Sequence, residues 1–334
     1  MEFNHYIGID WSQAIMAFAR MTGKSDKIEH YKGPTDIGGL QAYLDRLHGT
    51  KKICFEETDT AQWLYTELKT HADEIIVCDP YRNRLLSDGP KDDPIDAGKL
   101  VQLLRANMLK PVFHAGDELF YVRKLVSAYD DVVCAGVRLQ NQRSALLRAV
   151  GARNEADLES AYEKFIFARL EESVNRYREE KSLYEEQFDL LRKKHARIRH
   201  LASIPGIATI HATQILAMVI DIGRFETKGK FLAYCGLVKH QKLSGGKSYG
   251  KRLPRYSRKM KCIMKVAAFS CLKEFATNDM KAYYDYLINE KRYPDHIARH
   301  KIARRIAILV YGILKSGRAY KKESDKKAKN ELKN

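Results

Sequence analysis

The sequence has few features of membrane, secreted or zinc-binding proteins. Its six cysteines include no C-x-x-C pair, which argues against a zinc module and a disulfide framework. We therefore expect the cysteines to be small residues of the core. The longest apolar run, Ile306 to Leu314, has nine residues, whereas a bilayer span needs roughly 20. The first residues lack the basic start and apolar stretch of a secretory signal. We therefore expect a cytoplasmic protein with no membrane partner.

Acidic side chains are in deficit. The chain has 59 Lys and Arg against 42 Asp and Glu, which gives a formal charge of +17. This excess predicts a polyanionic partner, with nucleic acid first and an acidic membrane surface second. A hydrophobic fraction of 45% with 30% charged residues is typical of a folded protein and excludes a largely disordered one.

The first 115 residues alternate short β-rich runs with amphipathic helical stretches, which predicts an α/β domain. Turn residues alone separate the first three strands and predict an antiparallel meander, whereas helices around the last two predict parallel additions to the same sheet. The order β-β-β-α-β-α-β-α is that of the ribonuclease H fold. The predicted strands are His5–Asp10, Ile15–Arg20, Lys27–Tyr31, Lys51–Glu57 and Glu74–Asp79, and the predicted helices are about Asp36–Leu47, Ala61–Thr70 and Pro94–Asn107.

The rest of the chain is predicted to be mostly helical. Residues 116–200 are long, charged and poor in helix breakers, which indicates two antiparallel helices or a coiled-coil arm, either a spacer or a dimerising element. Residues 201–315 form a mostly α C-terminal domain. Residues 316–334 are rich in basic side chains and poor in apolar ones, so we predict a disordered basic tail.

Four acids stand where the predicted fold would gather ligands. Asp10 ends the first strand and Glu56 lies at the end of the fourth, and these strands are neighbours in a ribonuclease H-like sheet. Asp93 and Asp96 open the third helix, where i, i+3 spacing puts both on one face. Oxygen ligands suit Mg²⁺, and two ions about 4 Å apart stabilise the attacking and leaving oxygens in phosphoryl transfer. We therefore predict these four acids as catalytic ligands of two Mg²⁺ ions.

Each acid also has a simpler interpretation. Asp93 is a good N-cap for the helix that follows it, and Asp10 is a common residue type in a turn at a strand end. Glu57 competes with Glu56 for the same role, and Asp92 competes with Asp93.

One segment excludes acids altogether. From Thr227 to Lys273 there are 47 residues, of which 13 are Lys or Arg and none is Asp or Glu. It contains a Gly-rich loop, predicted either to bind phosphate or to present Ser244 as a nucleophile. The cations that we predict to contact nucleic acid are Lys242, Lys247, Lys251, Arg252, Arg255 and Arg258.

Taken together, these motifs resemble those of the DEDD transposases of insertion sequences, the family that includes the Piv pilin-gene invertase and the RNA-guided bridge recombinases. Single motifs are weak, but their order and spacing are specific and cover nearly the whole chain. The segments that carry the resemblance are Tyr6–Asp10, Phe55–Thr58, Lys91–Ala97, Ile204–Ile207, Arg224–Phe225, Tyr234–Val238 and Ser244–Gly245.

The resemblance implies a RuvC-like nuclease domain, a helical arm and a C-terminal transposase domain. Asp10, Glu56, Asp93 and Asp96 would hold Mg²⁺, and Ser244 would attack DNA to form a phosphoserine intermediate. The family further implies a structured noncoding guide RNA, and a homo-oligomer, dimer or tetramer, whose subunits share active sites. Two rival interpretations are a RuvC-like nuclease that uses water and a catalytically inactive nucleic-acid-binding protein.

Overall fold

The computed structural model describes residues 2–80, 93–114, 119–273 and 276–321. The chain divides into two compact units, Met1–Asp117 and Glu118–Asn334. The first is a mixed α/β domain and the second is mostly helical, as the sequence predicts. Among the described helices, none is both long enough and apolar enough to cross a membrane.

The first unit is built on one five-stranded sheet with the order β3-β2-β1-β4-β5. Neighbours β1–β2 and β2–β3 are antiparallel, whereas β1–β4 and β4–β5 are parallel. This confirms the predicted meander, the parallel additions and the pairing of the first strand with the fourth, in the element order of a ribonuclease H fold. Its elements are β1 (His5–Trp11), β2 (Ile15–Thr22), β3 (Ser25–Pro34), α1 (Ile37–Arg46), β4 (Lys51–Glu56), α2 (Ala61–Leu68), β5 (Glu74–Cys78) and α3 (Asp93–Arg105).

Both faces of this sheet are covered, because successive side chains on a strand point to opposite sides. Ile7 and Ile9 of β1 are fully buried in a cluster with α1 and α2. On the other face, Gly8 allows α3 to approach the strand closely. A Cβ at Gly8 would lie 2.7 Å from the Ala97 carbonyl oxygen and 2.7 Å from the Val101 nitrogen. The glycine therefore lets the middle of α3 pack against β1.

The second unit has a large apolar core, formed by the start of its first helix, the end of its second and the helices that follow. The ends of the segment predicted as an arm therefore share a core with the C-terminal helices. Its elements are α4 (Phe120–Ala149), α5 (Ala161–Lys194), α6 (Ala196–Ala202), α7 (Thr209–Val219), α8 (Lys228–Tyr234), β6 (His240–Ser244), β7 (Lys247–Arg252), α9 (Arg258–Ser270), α10 (Asp279–Asn289) and α11 (Asp295–Ser316).

Helices α4 and α5 form an antiparallel pair. The Tyr129 hydroxyl donates to Glu185 at 3.0 Å, and further along α4 Arg143 pairs with Glu171. Partner numbers fall on α5 as they rise on α4, which only an antiparallel arrangement produces. The chain reverses between the two helices, where Gly151 has a φ of +71°, a conformation that favours glycine. These contacts establish the helix pair, and a coiled-coil arm stays a prediction.

The cysteines and the C-terminal end differ in part from expectation. Four cysteines are buried, but Cys134 and Cys262 are exposed, because they lie on solvent-facing positions of α4 and α9.

After α11, the Tyr320 amide donates to Ser203 Oγ at 2.8 Å and its hydroxyl donates to Asp279 at 2.7 Å. Residues 322–334 of the predicted tail lie outside the described residues.

Candidate active site

Asp10 and Glu56 lie near the carboxyl ends of two neighbouring parallel strands, β1 and β4. The parallel register of β1 and β4 ends with the pair Ile9 and Phe55, and Asp10 and Glu56 are the next residues along the two strands. Both acids are partly buried. The 45 residues between them in sequence are therefore bridged by strand register, as the fold prediction required.

The same two acids lie on the face of the sheet that α3 covers. Side chains alternate along a strand, so Asp10 shares the face of Gly8, and Glu56 shares that of Cys54. The Cys54 thiol donates to the Leu100 carbonyl oxygen of α3 at 3.5 Å, which identifies that face.

The acidic first turn of α3 completes the set. Asp93 and Asp96 both lie in the first turn of α3. Asp92, the competing residue, lies outside the described residues. Both described acids favour a helix N-terminus through the helix dipole, so their position is locally stable as well as close to β1.

The carboxylates interact electrostatically. Burial raises the pKa of Asp10, the negative charges of Asp93 and Asp96 raise it further, and the positive charge of Lys32 opposes them. Lys32 Nζ lies 3.1 Å from Asp93 Oδ2, and Lys99 Nζ lies 3.3 Å from Asp96 Oδ1. Asp10, Asp93 and Asp96 are therefore close enough for their charges to interact, and two lysines partly neutralise these charges.

Whether these residues suit Mg²⁺ depends on their spacing, their donor atoms and their charge. Among the described residues, no three His, Cys, Asp or Glu side chains lie close enough together to hold a metal ion in their present positions. The donors are nonetheless all carboxylate oxygens, as hard cations require. The repulsion that raises the pKa of Asp10 is what a bound divalent cation would relieve. By donor chemistry and charge, the residues fit the ion.

Glu57, which competes with Glu56 in the sequence, has a different set of partners. Its carboxylate contacts Nε2 of His114, a buried side chain whose Nδ1 lies 2.9 Å from Gln62 Oε1. Alternation puts Glu57 on the sheet face opposite Glu56. The sequence carries no local signal for this partner, because His114 and Glu57 are 57 positions apart in the chain. These contacts favour Glu56 as the acid on the α3 face.

Ser244 lies at the tip of a β-hairpin rather than in the predicted Gly-rich loop. It ends β6 and pairs with Lys247, the first residue of β7. Between them Gly245 and Gly246 have φ angles of +55° and +76°. Positive φ at both central positions defines a type I′ turn, which suits the twist of paired strands and favours glycine. The two glycines therefore set the register that brings Ser244 opposite Lys247.

One face of the hairpin combines Ser244 with cations. Lys242 lies two residues before Ser244 on the same strand, and directly paired residues of antiparallel strands share a face. Lys247 pairs with Ser244. Arg252 pairs with His240, which lies four residues before Ser244 on β6 and therefore on the same face. Lys251 pairs with Gln241 and so lies on the other face. All of these side chains are exposed.

The remaining predicted nucleic-acid contacts lie just beyond the hairpin. Arg255 is exposed in the segment that follows β7, and Arg258 is the exposed first residue of α9. The α9 N-terminus is capped by Ser257, whose Oγ accepts the Met260 amide at 3.2 Å. The four acids thus belong to the first unit, and Ser244 with all six predicted cations belongs to the second.

Comparison with protein families agrees with this division. Residues 7–151 match the model of the DEDD transposases of the IS110 type, and residues 198–285 match the transposase IS116/IS110/IS902 family. The first match contains all four acids, and the second contains Ser244 and the six cations. No curated protein matches the chain. The chain belongs to the IS110-type DEDD transposases, a family of enzymes that move insertion sequences.

Proposed function

We propose that this transposase cuts and rejoins DNA strands through a phosphoserine intermediate, with Mg²⁺ held by Asp10, Glu56, Asp93 and Asp96. The observation that carries the proposal is that Asp10 and Glu56 follow the last paired residues of β1 and β4 on the sheet face that α3 covers, where Asp93 and Asp96 of α3 act on Asp10. Oxygen donors in such a set suit phosphoryl transfer. DNA is the partner that the family implies.

In this proposal the nucleophile is Ser244. Its Oγ attacks the scissile phosphorus, a new Oγ–P bond replaces one P–O bond of the DNA, and the released strand oxygen takes up a proton. A strand hydroxyl then attacks the same phosphorus, restores the phosphodiester and frees the serine. Bond energy is conserved, so no nucleotide cofactor is needed. Bound Mg²⁺ would polarise the scissile phosphate and favour loss of the serine proton.

The hairpin cations support the same role for Ser244. Lys242 and Lys247 lie on its face, where their charges would neutralise the phosphate that the serine approaches. Arg252 extends this cationic face away from the tip. Lys251, Arg255 and Arg258 are proposed to bind the DNA backbone at a greater distance from the reacting bond.

Two further parts of the proposal rest on the family resemblance. A structured noncoding RNA would select target and donor sequences, and the charge of +17 suits a protein that holds both RNA and DNA. Acids and serine from different subunits would combine in a dimer or tetramer. Because the acids and Ser244 belong to separate compact units of the chain, such sharing is compatible with the fold.

The serine is best tested against a neighbouring serine. We expect Ser244→Ala to abolish recombination and the covalent protein–DNA adduct, because no other group replaces its Oγ. Ser248→Ala is the matched control, since Ser248 is exposed on β7 but lies on the opposite hairpin face. Normal cutting by Ser244→Ala would favour the water-using nuclease. No Mg²⁺-dependent cutting by the unaltered protein on its cognate DNA and RNA would favour the catalytically inactive binding protein.

A further inference from the structure

Lys32 lies in the same row of the sheet as Asp10. Asp10 of β1 pairs with Ala17 of β2, and Ala17 pairs in turn with Lys32 of β3. Paired residues share a face, so all three point toward the side that α3 covers. Two strand spacings of about 4.8 Å separate the backbones of Asp10 and Lys32, a distance that a lysine stem partly spans.

The residue between them is small. Ala17 is fully buried in the α3-side cluster and contributes only a methyl group to the row. Lys32 Nζ reaches Asp93, at 3.1 Å from Oδ2, although the two residues are 61 positions apart in sequence. Its charge also opposes the effect of the other acids on Asp10. One ammonium group thus acts on carboxylates from both β1 and α3.

Lys99 does not have this arrangement. It pairs with Asp96 three residues earlier on the same helix, a local contact that is common on helix surfaces. Lys32 instead comes from the edge strand of the sheet, and its position depends on the register of three strands. The long-range contact is therefore a property of the site rather than of one helix.

We infer that Lys32 is the resident counter-ion of the acidic site and that a divalent cation binds by displacing its ammonium group from Asp93. The inference rests on the proposed role of the four acids. The ammonium and the metal ion need the same oxygen lone pairs, so they cannot both occupy them. Lys32 weakens divalent-ion binding, and it reduces repulsion among the acids when no ion is bound.

The experiment is a calorimetric titration of the full-length protein with Mn²⁺ and with Mg²⁺, without nucleic acid. We expect Lys32→Gln to bind the ions about two- to fivefold more tightly, as the loss of one partly exposed ion pair allows. Lys27→Gln has the same change in charge at the other end of β3, about 16 Å along the strand, and should bind as the unaltered protein does. Lys32→Arg keeps the charge and should stay close to the original affinity.

The outcomes separate this inference from the proposed function. Equal or weaker binding by Lys32→Gln, while Asp10→Asn abolishes binding, would overturn the role of Lys32 and leave the metal site intact. Absence of binding in the unaltered protein and in every Lys32 variant would overturn both. Binding by Lys32→Gln alone would show that the lysine excludes the ion from the metal-free site, as the inference requires.

Discussion

The acidic edge of the sheet and the basic hairpin are built in opposite ways. Asp10 and Glu56 lie near the carboxyl ends of strands whose preceding residues are buried on both faces, so packing fixes their backbone. Ser244 ends a strand of a two-stranded hairpin whose described side chains are exposed. Two-stranded hairpins have little stability of their own, and the turn sets their register.

This difference determines what each region tolerates. A buried sheet can hold like charges close together, because the burial of apolar side chains outweighs their repulsion. The hairpin instead concentrates cations on an open surface, where water screens them from one another. Charge changes in the sheet should therefore affect metal binding and stability together, whereas charge changes in the hairpin should affect binding of nucleic acid alone.

The largest expected effect separates two adjacent acids of the sheet. Glu56→Gln should lower DNA cleavage at least about 100-fold, because a predicted metal ligand is lost. Glu57→Gln should keep most cleavage activity but lower thermal stability, since it weakens the contact with buried His114. Cleavage assays at saturating Mg²⁺ and thermal unfolding of both variants check this. Equal loss of activity in both would contradict the assignment of Glu56.

A smaller effect should separate the two hairpin faces. Lys247→Ala should reduce strand cleavage several-fold more than Lys251→Ala, because Lys247 pairs with Ser244 and Lys251 lies on the other face. Both variants lose one charge and should lose a similar part of the salt dependence of DNA binding. Cleavage rates and binding titrations at several salt concentrations provide the comparison. Equal cleavage by the two variants would contradict the prediction that cations on the Ser244 face contribute more to cleavage than cations on the other face.

The smallest expected effect is the pH dependence of stability in the metal-free protein. Folding raises the pKa of Asp10 above its ordinary 3.8, so the folded state binds the proton more tightly than the unfolded state does. The resulting stabilisation is present at acid pH and is lost as the pH rises through the raised pKa. Asp10→Asn does not titrate at this position, so its unfolding temperature relative to the unaltered protein should rise with pH and level off above the raised pKa.

Thermal unfolding in a metal chelator between pH 3.5 and 7 measures this difference. A difference that stays constant across the range would mean that the fold does not perturb Asp10. A difference that falls with pH would mean that nearby cations outweigh the other acids. Lys32→Gln should increase the effect, because its ammonium opposes the repulsion.

The sheet could be predicted from sequence because its strands carry apolar residues bounded by turns. Because the ribonuclease H-like order makes the first and fourth strands neighbours, it predicts that Asp10 and Glu56, near the ends of these strands, lie close together. The sequence does not predict the hairpin, because polar residues occupy both of its faces. The alternation of apolar and polar residues that identifies a strand is therefore absent. From sequence alone, Gly245 and Gly246 predict a Gly-rich loop rather than the turn of a hairpin.

Long-range pairs were beyond sequence reasoning for a different reason. The contact of Lys32 with Asp93 depends on the register of three strands and on the small size of Ala17. The contact of His114 with Glu57 joins residues that follow two different elements. No local pattern encodes either pair, because each depends on tertiary packing.

The most direct test of the central claim is mass spectrometry of the protein after it has been quenched during recombination of its cognate DNA with Mg²⁺. In the unaltered protein we predict a nucleotide bonded to Ser244, in the peptide that spans β6 and β7. Asp10→Asn should carry none. Efficient strand cleavage with no modified serine, or an equal amount of modified Ser244 in Asp10→Asn, would contradict the account.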